Sequence, residues 1–285
     1  TEEECLDLPE FKVVETPVEL DEKTKDVYNE MVSSHTIDLP NRMVIEAHRG
    51  NRVNKLMQCL SGFVTKNKDI EEEVEGLNVA RKLSKKDRLF KFKSTPRLDV
   101  FDDLLESLLA DGKHKVIVWC RYTTEIHQVK SRLEKNNIGY ALVTGDTKNK
   151  ESERKRFKTT EGCRVYVSQC SINTGLTLTE AKYTIWYGLP LSLGDWKQAN
   201  KRNHRIGTES SVTAYVLYTP DSIQELLLEA YKSKEKVDMS LTTVEKCGTC
   251  KFRKECQKKD IKPFDPDCIY DSETDRGVLR PKLIA

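Results

Sequence analysis

The chain has 285 residues, 37% hydrophobic and 33% charged, with a formal net charge of +2. That length suits one large domain or two modest ones, and the near-neutral balance does not by itself announce a nucleic-acid binder. No apolar run approaches the ~20 residues that cross a bilayer, and the acidic opening TEEECLDLPE lacks a signal-peptide core, so a soluble cytosolic protein is expected, neither secreted nor membrane-bound.

In chain order, FKVVETPVEL is extended in character and bounded by Pro9 and Pro17. LDEKTKDVYNEMVSS then reads as a helix with Asp21 as its N-cap, and NRVNKLMQCLSGF as a shorter one stopped by Gly62. From Val64 to Thr95 the pattern dissolves into charge, including the acidic run at 69–75, and reads as a loop-rich insertion or linker. After Pro96 the texture changes. A helix closed by Gly112 precedes the continuously apolar KVIVWC, and helices and short apolar strands then alternate: YALVTG, RVYVS, YTIWYG and VTAYVLY, with helices around 123–136, 150–158, 194–205 and 221–233. Such strands between helices predict an α/β domain over 96–235, a parallel sheet covered on both faces. Residues 1–95 and 236–285 flank it.

Ligands of such sheets gather at the carboxyl ends of the strands. The residues to watch there are Arg121, Tyr122, Gly145, Asp146 and the segment from Gln169 to Gly175. QANKRNHRIGT, residues 198–208, sets Arg202 and Arg205 three apart, on one side of the predicted helix and just before Gly207. Helix-end chemistry alone would favour cations there.

Nine cysteines are present, and Cys120 closes an apolar run as a small core residue. Cys247, Cys250, Cys256 and Cys268 cluster as C-x2-C-x5-C-x11-C, amid seven Lys/Arg against two acids between Lys246 and Lys262. Four clustered thiolates without a signal peptide favour a metal over disulfides, with Zn2+ preferred and a [4Fe–4S] cluster as the alternative. The surrounding lysines fit either contact with nucleic acid or a purely structural tail.

The order and spacing of these segments resemble the second RecA-like lobe of superfamily 2 helicases, above all the Swi/Snf-type DNA translocases. KVIVWCRY resembles motif IV, SQCSINTGLTLTEA (168–181) motif V, and QANKRNHRIGT motif VI, in which every fixed position is present. Motif V departs from the common form at Cys170, Ile172 and Asn173, a variant closer to helicases of phage or prophage type. LPEFKVVETPVELDEKTKDVYNEM resembles the end of the first lobe and the helix leaving it.

The resemblance implies roles. Arg205 is the principal arginine finger on ATP and Arg202 its partner, with Gln198 and Gly175 at the nucleotide. Arg121, Tyr122, Thr144, Gly145, Ser168 and Thr174 would contact the backbone of DNA, RNA being left open. Trp196 offers a ring that could stack on a base, but packing against the sheet is the favoured expectation.

No Gly-x4-Gly-Lys-Ser/Thr loop occurs in the sequence. ATP and Mg2+ would therefore be held mainly by a first RecA-like lobe, supplied in cis or in trans. The start at a bare threonine is expected to mark a fragment of a longer helicase, inactive as an ATPase alone. The rival expectation is a non-catalytic module that docks nucleic acid or a replication or repair protein.

Overall fold

The computed structural model describes residues 8–34, 36–38, 44–47, 51–66, 69–74, 77–82, 88–93, 95–172, 177–208 and 210–232. Its centre is a six-stranded, wholly parallel sheet. The strands are β1 (Phe11–Pro17), β8 (Lys115–Cys120), β9 (Gly139–Val143), β10 (Cys163–Gln169), β11 (Ala181–Trp186) and β12 (Val212–Tyr218), in the order β1-β12-β11-β8-β10-β9. Central β8 is buried along nearly its whole length, as its unbroken apolar run requires, whereas edge strand β1 is half open.

Strand β1 corrects one expectation. Phe11–Pro17, which resembled the end of a first lobe, pairs in parallel with β12 from Phe11 opposite Val212 to Pro17 opposite Tyr218. An edge position accommodates Pro17, which has no amide to give a second neighbour.

Helices cover both faces. They are α1 (Glu22–Ser34), α2 (Arg52–Leu60), α3 (Pro96–Leu109), α4 (Thr123–Lys135), α5 (Lys150–Thr159), α6 (Leu193–Asn200) and α7 (Ile223–Lys232). Asp21 caps α1 as predicted, accepting from Thr24 N at 3.1 Å and Thr24 Oγ1 at 2.7 Å. Leu98, Phe101 and Leu105 of α3 join Ile126, Val129 and Leu133 of α4 over Val116, Val118, Val165 and Val167. The opposite layer is aromatic: Trp186 lies 6.2 Å from Trp119 and 4.4 Å from Trp196, which stacks on Tyr231 at 4.9 Å. Trp196 is thus packed against the sheet, and its ring is not offered to a base.

The charged insertion contains strands where a loop was expected. β4 (Phe63–Thr65) pairs antiparallel with β7 (Leu89–Lys91), and β5 (Asp69–Val74) pairs with β6 (Leu77–Lys82). Two further short strands, β2 (Thr36–Asp38) and β3 (Val44–Glu46), also pair antiparallel. None of the described helices is long and apolar enough to cross a membrane. The four C-terminal cysteines lie outside the described residues.

Arg97, at the start of α3, is 2% exposed. Its Nε donates to Leu60 O at 3.1 Å, and Nη1 donates to Tyr187 O at 3.0 Å and Leu217 O at 2.8 Å. Nη2 reaches Thr219 Oγ1 and Gln224 Oε1. One guanidinium therefore ties the end of α2 to β12, the β11 exit and α7.

Burial also gives the core a pH signature. It pushes the Cys59 and Cys170 thiols and the Tyr122 hydroxyl up to about 12. Unfolded thiols and phenols ionise near 9 and 10, so above pH ~9 the folded chain holds more protons. The stability these groups contribute is whole below that point and is lost as pH rises through 12, by up to ~1.4 kcal/mol per pH unit for each. Lys55, pulled down to about 8 by burial, acts oppositely between pH 8 and 10.5, alone up to pH 9 and then against the two thiols, which the Tyr122 hydroxyl joins near pH 10. Urea midpoints should rise slightly from pH 8 to 9, where Lys55 alone titrates, and fall from pH 9 to 11; a flat series would contradict this account.

Candidate functional site

Parallel strands bring Arg121, Tyr122, Thr144 and Gly145 to the carboxyl edge of the sheet. The turn after β8 is built around buried Glu125. Its Oε2 accepts from the backbone N of Arg121 at 2.7 Å and of Tyr122 at 3.0 Å, and its Oε1 accepts from Ser61 Oγ at 2.6 Å. Gly188 permits this closeness, since a Cβ there would lie 2.8 Å from Arg121 N.

The side chains of this turn point inward. Arg121 Nη2 donates to Asn54 Oδ1 at 2.7 Å, the guanidinium sits 5.2 Å from the Tyr122 ring centroid, and Tyr122 OH donates to Asn54 O at 3.2 Å. Both expected nucleic-acid contacts are thus engaged with α2. Ser168 is corrected outright: it is fully buried and donates to Val143 O at 2.8 Å, which leaves no surface for a phosphate. Thr144 is half-buried, its amide donating to Thr147 Oγ1 at 2.9 Å. Exposed Gly145 has no heavy atom beyond its chain neighbours within 4 Å of where a Cβ would stand, so the approach to it is open. Thr174 and Gly175 lie outside the described residues.

The arginines lie elsewhere. Helix α6 begins beyond the carboxyl end of β11 and runs back toward the amino ends of the strands, where it stops at Asn200. Asn200 Oδ1 accepts from Trp186 Nε1 at 3.0 Å. Asn203, fully buried, donates through Nδ2 to Ala181 O at 3.2 Å and Thr184 Oγ1 at 3.0 Å, and Leu178 N donates to Arg202 O at 2.8 Å. Thr208 Oγ1 accepts from Arg205 N at 3.2 Å and donates to Asn203 O at 2.7 Å. Gly207 turns the chain with φ +95°.

The predicted helix over 194–205 is therefore cut short, because asparagine side chains bond the sheet in place of extending the helix. Arg202 and Arg205 sit on a clamped turn at the amino edge of β11 and β12, not on a helix face at the carboxyl edge. Arg202 Nε donates to Gln198 O at 3.0 Å. Arg205 is exposed, and its Nη1 donates to Thr177 Oγ1 at 3.0 Å. Burial first, and the neighbouring Arg205 charge second, lower the Arg202 guanidinium below its ordinary value. Two guanidiniums close enough to repel each other, carrying donors only, suit phosphate oxygens and cannot ligate Mg2+. Among the described residues no group of three or more His, Cys, Asp or Glu is placed to hold a metal.

Glu125, Asn54, Asn203 and His204 all act here, and none was singled out by its own sequence signal. Each is a polar residue whose partner lies far along the chain or on another element.

A parallel sheet layered by helices, with a motif VI turn held against motif V at Thr177 and Leu178, is a RecA-like lobe. Residues 97–207 match the helicase conserved C-terminal domain family. Among similar proteins, SWI/SNF-related matrix-associated actin-dependent regulator of chromatin subfamily A-like protein 1 of Xenopus tropicalis is 29% identical over 143 residues, 49% of this chain and 15% of that protein. Chromatin-remodeling ATPase INO80 of Aspergillus terreus is 28% identical over 176 residues, 58% of this chain and 10% of that protein. The lobe is thus similar to Swi/Snf-related and INO80 proteins, and the chain spans a sixth or less of the relatives named here. The crystal structure of the C-terminal part of the Fun30 ATPase domain has the same fold, with a TM-score of 0.57 at 15% identity, covering 78% of this chain and 89% of that one.

Proposed function

We propose that this chain is the C-terminal lobe of an ATP-dependent DNA translocase or helicase, with Arg205 as arginine finger and Arg202 beside it on the phosphates. The observation that supports this best is the exposed Arg205 on a turn clamped by buried Asn203 and Thr208, inside the segment that matches the helicase C-terminal domain. Charge accumulates on the transferring phosphoryl group in the transition state. A planar, permanently charged, bidentate donor held rigidly there lowers the barrier.

In this reading a first lobe supplies the phosphate loop and the Mg2+ carboxylates, and the chain alone turns over no ATP. Gln198 backs the nucleotide side, and DNA runs along the carboxyl edge near Thr144 and Gly145. The four-cysteine tail holds Zn2+ or an iron–sulfur cluster.

The reading is tested by joining the parent first lobe to this chain and measuring ATP hydrolysis with and without DNA. The joined protein should show DNA-stimulated turnover and the isolated chain none above background. Turnover by the chain alone, or none in a folded joined protein, would sink it.

A further inference from the structure

We infer that His204 is a positioning residue that couples the chain entering the sheet at Pro9–Phe11 to the turn bearing Arg205. The inference rests on the reading just proposed, in which Arg205 is the arginine finger. His204 Nε2 lies 2.7 Å from Pro9 O, and because a carbonyl only accepts, this nitrogen carries the proton and donates. The His204 ring also packs on Phe11, with centroids 5.2 Å apart at 39°. Between these contacts, Glu10 O accepts from Val212 N at 3.0 Å, the first rung of the β1–β12 ladder.

Sequence separation distinguishes this contact from the turn's other clamps. The Asn203 and Arg205 side-chain bonds span 28 residues or fewer, whereas the His204 bond spans 195. It therefore ties the turn to the entering chain, not to the turn's own sheet neighbours. His204 adjoins Arg205 in sequence, and His204 N donates to Asn200 O at 3.3 Å, so a displacement of Pro9 is delivered to the backbone that aims the finger. Misplacing a catalytic group by 1 Å costs up to ~100-fold in rate, so the contact lets the chain entering at Pro9–Phe11 set finger geometry.

Two measurements on His204→Ala and His204→Gln test this, with Gln able to keep an Nε donor. In the 285-residue chain, amide exchange over 200–212 should accelerate about tenfold in the Ala variant, the weight of one such hydrogen bond, and stay near wild type in the Gln variant. In the joined protein, kcat should fall about tenfold in the Ala variant with KM for ATP and DNA affinity unchanged, and the Gln variant should restore most of it. A melting temperature near wild type in the Ala variant separates positioning from unfolding. Unchanged exchange, or equal defects in both variants, would overturn the coupling. Unchanged kcat in the Ala variant, while Arg205→Ala abolishes turnover, would overturn it and leave the finger reading standing. Full turnover in Arg205→Ala would remove the finger and the coupling together.

Discussion

Arg205→Ala in the joined protein should lower DNA-stimulated ATP turnover by at least about a hundredfold, modest beside the ~10³–10⁵ that arginine fingers contribute elsewhere. Folding should be untouched. The side chain is exposed and its recorded bond goes to the exposed Thr177, so the stability change belongs to the ±0.5 kcal/mol class of surface substitutions. Arg205→Lys should recover little, since an ammonium offers a point charge where the guanidinium offers a flat, two-pronged donor. Arg202 is the poorer probe: its Nε bonds Gln198 O and it is partly buried, so its removal disturbs the turn as well as the charge. Undiminished turnover in Arg205→Ala would return QANKRNHRIGT to an anchored loop with no chemistry. The docking-module reading would then lead.

Arg97→Met should destabilise the lobe by about 3 kcal/mol. Methionine roughly fills the volume but strands the carbonyls of Leu60, Tyr187 and Leu217, while Gln224 Oε1 keeps its bond from Thr219 N. Each buried polar group left unmet costs ~1–3 kcal/mol. Part of that is offset because the guanidinium no longer has to be desolvated, the same burial that pulls its pKa below the ordinary arginine value. For a domain of this size the loss corresponds to roughly 6–12 °C in melting temperature, at ~2–4 °C per kcal/mol. Arg97→Lys should do scarcely better, as one ammonium cannot reach acceptors on separate elements. A shift below about 3 °C in thermal melts followed by circular dichroism would show that these carbonyls find other partners.

Much of the sheet was legible because central parallel strands advertise themselves. KVIVWC, YALVTG, RVYVS, YTIWYG and VTAYVLY are all strands of one parallel sheet. Gly62, Gly112 and Gly207 all take positive φ, as their stopping positions suggested. The edge strand was harder. FKVVETP alternates imperfectly and carries a proline, and its partner β12 lies far along the sequence, so nothing local assigns it to this sheet. The paired arginines were legible as a pair, but their platform was not. Spacing of three fits a helix, yet Asn200 and Asn203 spend their side chains on Trp186, Ala181 and Thr184, choices fixed only by tertiary packing. Ser168 misled for a related reason: a hydroxyl near a strand end reads the same in sequence whether it faces solvent or Val143 O.

The pairing of β1 with β12 also dictates an order of events as the protein is made. Val212 follows Pro17 by 195 residues, so β1 meets β12, its neighbour among the described strands, only after β8 to β11 have been made. At ~5–20 residues per second, β1 waits ~10–40 s with both edges bare. β8 to β11 can meanwhile assemble among themselves, and completion of the sheet falls to the joining of sequence-distant β1 and β12, a high-contact-order step that is slow for that reason.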